Sequence, residues 1–74
     1  MNYHRLMNKL KEIFPFENYI KENSGGDAYQ TVFSIATKYL PEKSNVLDFG
    51  SGPCDKTAVV ALLGHNCIAY DDMQ

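Results

Sequence analysis

Asn45-Val46-Leu47-Asp48-Phe49-Gly50-Ser51-Gly52-Pro53-Cys54-Asp55 decides the fold. Asn45 to Phe49 is short, apolar and bounded by turn residues, which predicts a strand. Gly50 to Cys54 predicts a tight loop. Asp55 is a suitable N-cap for a helix running through Thr57 to Leu63, with Gly64 as its C′ residue. Cys67 to Tyr70 predicts a second strand, ending in Asp71-Asp72. The three elements form a βαβ unit, whose crossover is expected to be right-handed.

Upstream the period changes from two to 3.6. Tyr3, Leu6, Met7, Leu10, Ile13 and Phe14 make one apolar helical face, which Pro15 ends. Phe16 to Glu22 is ambiguous, with a short helical turn as one reading, and Asn23-Ser24-Gly25-Gly26 is a break. A second helix is expected from Asp27, whose carboxylate can cap the orphan amides while Gln30 completes a capping-box pattern. Tyr29, Val32, Phe33, Ala36, Tyr39 and Leu40 form its stripe, and Pro41 closes it. The order helix-helix-strand-helix-strand predicts an α/β fold, the start of a Rossmann-like parallel sheet, truncated after strand two. Residues 1–44 are expected as a helical N-terminal extension. Residues 45–74 are expected as the incomplete βαβ start of a cofactor-binding domain.

Composition bounds the function. The 74 residues are 45% hydrophobic and 22% charged, with a net charge of −2, which fits one small globular unit. No apolar run approaches the ~20 residues of a membrane span. The N-terminal segment lacks the apolar core of a signal peptide. Residues 1–43 carry a net +1 and residues 44–74 a net −3. Neither part has the basic stripe of a nucleic-acid binder. Cys54 and Cys67 form no CxxC and predict no metal site, so they read as small thiols in a reducing cytoplasm. His4 and His65 read as surface residues and Lys56 as solvated. Tyr19, Tyr29, Tyr39 and Phe33 read as core or interface aromatics. A lesser reading has Tyr19 or the Ser24-Gly25-Gly26 turn closing over a ligand.

The glycine loop is where chemistry is expected. Glycines permit positive φ and close approach of a ligand to the backbone. Asp71 follows Gly52 by 19 residues, the spacing at which a strand-end acid takes the hydroxyls of a ribose. The dinucleotide pattern GxGxxG would need Gly or Ala at position 55. Asp55 there sets a carboxylate against a pyrophosphate. Asp48 at the strand tip suits a cationic amine instead.

Val46 to Cys54 resembles the first motif of class I S-adenosylmethionine-dependent methyltransferases, usually V-L-D-x-G-x-G-x-G. Leu63-Gly64-His65-Asn66-Cys67-Ile68-Ala69-Tyr70-Asp71 resembles that family's next segment. The likeness covers residues 45–73, and the residues before it are more loosely similar to the family's helical N-terminal extension. It implies S-adenosyl-L-methionine as the cofactor, with Asp48 near its amino group. Gly50, Ser51 and Gly52 would pass beside its methionine and ribose parts. Asp71, or Asp72 if the strand runs longer, would hold the ribose. Cys54 departs from the pattern by standing at the third glycine, where a thiol narrows the loop, and Pro53 stiffens the turn.

The family's sheet has seven strands. A chain ending after the second is expected to lack the adenine frame and the methyl-acceptor loops. It implies the N-terminal cofactor-binding portion of a methyltransferase, inactive alone, with no catalytic residue among its positions and an unidentified acceptor. The alternative is a non-enzymatic helical interaction module with a vestigial βαβ unit. Open sheet edges and a small core predict a chain that is stable only when self-associated or complemented.

Overall fold

A computed structural model of the chain describes residues 1–13, 20 and 27–72. It is a small α/β structure with helices α1 (Tyr3–Ile13), α2 (Ala28–Tyr39) and α3 (Asp55–Leu62) and strands β1 (Asn45–Phe49) and β2 (Asn66–Tyr70). The readings made for Phe14, Pro15, the 16–22 segment apart from Ile20, and the 23–26 break lie outside the described residues. So does the suggestion that Tyr19 or the Ser24-Gly25-Gly26 turn closes over a ligand.

α1 starts where Asn2 supplies a cap: its Oδ1 accepts from the Arg5 N–H at 2.8 Å. Leu6, Met7 and Leu10 bury the helix's apolar stripe, while Ile13, expected on it, is exposed. Tyr3 meets Phe33 of α2 edge-on, with ring centroids 5.4 Å apart. In α2, Tyr29 and Ala36 are buried, and Tyr39 points to solvent at the helix end. The capping box expected at Asp27 does not form. Asp27 has helical φ and ψ and makes no side-chain cap, so only its carbonyl serves the helix, accepting from Thr31 N–H at 2.8 Å.

α3 packs on α1, α2 and β2. Its Val59 joins Leu6, Met7, Leu10, Ile20 and Tyr29 in one core. That core joins residues before and after position 44, because α3 packs against the helical layer. Gly64 terminates α3 with φ +97°, as expected for a C′ glycine. The helix N-cap, however, is Cys54, with φ 69° and ψ 20°. Asp55, expected as the cap, is instead the first helical residue.

β1 and β2 pair parallel in register, Asn45 with Asn66 through Phe49 with Tyr70. The amino ends of the strands are tied twice. Asn66 N–H donates to the Ser44 carbonyl at 2.9 Å, and Ser44 N–H donates to His65 Nδ1 at 3.0 Å. His65 therefore departs from the expected surface role: it is a half-buried acceptor joining two chain segments. Among the described residues no helix is long and apolar enough to cross a membrane.

Candidate functional site

The loop between β1 and α3 is held at four amides. Gly50 N–H and Ser51 N–H both donate to the Tyr70 carbonyl, at 2.7 and 3.1 Å. Gly52 N–H donates to Asp71 Oδ2 at 2.6 Å. Cys54 N–H donates back to the Ser51 carbonyl at 3.1 Å, and Pro53 has no N–H. The loop's donors are thus engaged within the protein. Such a loop is not a phosphate cradle, which works by turning free amides toward the anion.

The loop does have room. Gly50 and Gly52 have φ +76° and +57°, and a Cβ at either would meet no atom within 4 Å. The first feature disfavours other residues on backbone grounds. The second leaves two bare Cα faces beside the carboxyl ends of the strands, where ligands of open α/β sheets bind. Ser51 between them is buried. Cys54 carries the same left-handed backbone without glycine's freedom. Its Sγ turns back on the loop, 3.7 Å from both Ser51 Oγ and the Gly52 carbonyl. The position that departs from the methyltransferase-like pattern is therefore one where the backbone itself favours glycine.

Asp71, Gly50, Ser51 and Gly52 are brought together. Asp72, next in the chain, is exposed. Asp48 stands apart: strand alternation turns its side chain to the α3 side, where it accepts a hydrogen bond from Thr57 Oγ1. It lines a cleft of about 270 Å³ with Val32, Val46, Lys56, Thr57 and Cys67, and neither the glycines nor Asp71 belong to that lining. Burial first, and then the Asp48 charge, push the Cys67 thiol upward, which makes it a poor nucleophile. Cys54 and Cys67 are both free thiols.

Asp55 requires a second correction. Its side chain is 1% exposed and turned into the core, where Tyr29 Oη donates to Oδ2 at 2.6 Å. Lys56 Nζ lies 3.5 Å from the same oxygen and 5.5 Å from the Tyr29 ring centroid, so it is not simply solvated. Asp55 does not face the open side of the loop. It still lies in the first turn of α3, where a carboxylate already answers the helix's positive end.

Sequence reasoning missed Tyr29–Asp55 and Thr57–Asp48. The first joins residues 26 positions apart and leaves no local pattern. The second spans the loop by nine positions, and a threonine two residues into a helix beyond a strand-tip Asp was its one signal.

Comparison with protein-family models, with curated proteins and with solved structures finds no match to this chain.

The arrangement suits a particular ligand chemistry. Engaged amides and two strand-tip acids disfavour a phosphate and favour a neutral or cationic group bearing hydroxyls.

Proposed function

We propose that this chain carries the S-adenosyl-L-methionine-binding half-site of a class I methyltransferase. The supporting observation is the Gly50–Cys54 loop, its amides internally engaged and its two glycine faces open, with Asp71 drawn against it by Gly52. Asp71 holds the ribose hydroxyls. Gly50 and Gly52 admit the cofactor to contact distance. Ser51, buried between them, keeps the loop closed. Asp48, held by Thr57 on the α3 side, lies outside the pairing of the loop with Asp71 and adds only negative charge near it. The cofactor supplies an activated methyl on a sulfonium, and the protein's part is binding and orientation. Asp72 is not needed for this role, because Asp71 already closes the strand against the loop.

Calorimetric titration of the full 74-residue chain with S-adenosylhomocysteine tests the reading. The expected result is saturable binding, weakened about 10- to 100-fold by Asp71→Ala, as loss of a charge-assisted hydrogen bond implies. Asp72→Ala is expected to bind as wild type, and NAD to give no saturable heat. Absence of binding by a folded chain, or an Asp71→Ala variant that binds as wild type, would overturn it.

A further inference from the structure

Strand alternation puts Asn45, Leu47 and Phe49 of β1 on one face with Asn66, Ile68 and Tyr70 of β2. Parallel pairing arranges them in three rows: Asn45 beside Asn66, Leu47 beside Ile68, Phe49 beside Tyr70. In the first row Asn66 Nδ2 donates to Asn45 Oδ1 at 3.4 Å. In the third the two rings stack, with centroids 5.2 Å apart. Leu47, Phe49, Ile68 and Tyr70 are 63%, 77%, 70% and 50% exposed. The opposite face looks toward α2 and α3.

We propose that this face is the contact surface of a two-fold homodimer, covered by the same face of a second copy. The inference does not depend on the cofactor reading.

Charge supports it. All six residues are uncharged, although the chain has a net charge of −2. A charged partner finds no complement there, whereas a second copy meets no like charge.

Relief supports it further. A two-fold interface must be self-complementary, residue i meeting j while j meets i. The carboxyl end of the face is an aromatic ridge, Phe49 on Tyr70. The amino end holds a cleft of about 250 Å³ lined by Asn45, Val46, Leu47, Asn66, Cys67 and Ile68. A two-fold axis perpendicular to the strands runs them antiparallel and sets each ridge over the other copy's cleft. The two sheets then pack about 10 Å apart, as in a sandwich. Both faces of each parallel pair are covered, as parallel sheets require.

Area sets the strength. Taking about 200 Å² for a fully exposed large side chain, the four apolar residues expose roughly 500 Å² per copy. A pair removes about 1,000 Å² from water, the lower limit of a specific interface. The dimer is therefore weak and reversible.

Sedimentation equilibrium of the full chain over roughly 5 to 500 µM tests the proposal, a span matched to affinities near the micromolar range. The expected result is a reversible monomer–dimer equilibrium. Phe49→Lys is expected to weaken it by at least about tenfold, since one desolvated charge opposes the contact. The Leu47→Thr/Ile68→Thr pair, which keeps strand-compatible residues, should do the same with unchanged far-ultraviolet circular dichroism. A wild-type chain that stays monomeric throughout would overturn the proposal. So would folded variants that dimerise as wild type, placing the association at the strand edges, or growth beyond a dimer.

Discussion

Leu6 and Leu10 of α1, Tyr29 of α2 and Val59 of α3 are sealed from solvent, whereas no residue of β1 or β2 is buried. The two regions divide the molecule's tasks. The helices hold the core, and the sheet holds the glycine loop and the strand-end acids. They meet at the first turn of α3, where Asp55 reaches Tyr29 on the helical side and Thr57 reaches Asp48 on the sheet side. A loop on a thin two-stranded sheet is thereby held from a helical layer some 26 residues upstream in the chain.

The sharpest way to break this division is to truncate one leucine from each region. Leu10→Ala is expected to cost about 2–5 kcal/mol, enough to abolish a cooperative thermal transition in so small a chain. Leu47→Ala, at dilute chain concentration, is expected to stay within about 0.5 kcal/mol of wild type. Equal losses would mean that the sheet shares the core. Next in size is the junction. Tyr29→Phe removes the hydroxyl from a buried carboxylate and is expected to cost about 1–3 kcal/mol in urea unfolding. Adding Asp55→Asn, which removes the buried charge, should recover part of that loss. If Tyr29→Phe is neutral, the helical layer does not hold the loop. The smallest effect belongs to the sheet side alone. Cys54→Gly relieves a left-handed residue and is expected to stabilise by about 0.5–1 kcal/mol, read as a raised melting temperature. A destabilised Cys54→Gly chain would show that the thiol's contacts with Ser51 and Gly52 outweigh the backbone term.

Periodicity made the order of elements legible. The 3.6 spacing from Tyr3 to Leu10, the Val46-Leu47 strand and the Gly64 stop each have a local physical cause, and each element stands within a residue or two of its expected place. What escaped depends on contacts between distant segments. Asp27 and Asp55 have the composition of caps, yet one makes no cap and the other is drawn inward by Tyr29. His65 has no pattern marking it as the acceptor of Ser44. At the site, the neighbourhood of Gly50–Gly52 and Asp71 was legible from the 19-residue spacing, because a parallel pair in register must bring the two strand ends together. The side on which Asp48 lies also follows from alternation. Its Thr57 partner depends on how α3 rotates over the sheet, which residue spacing alone does not specify.

We propose above that the Gly50–Cys54 loop and Asp71 form one adenosyl-binding half-site. Amide nuclear magnetic resonance of the full chain, titrated with S-adenosylhomocysteine, tests it most directly. Saturable shifts at Gly50, Ser51, Gly52, Cys54 and Asp71, with the α1 amides unmoved, are the predicted result. Loop amides that stay fixed while a saturable shift appears elsewhere would contradict it.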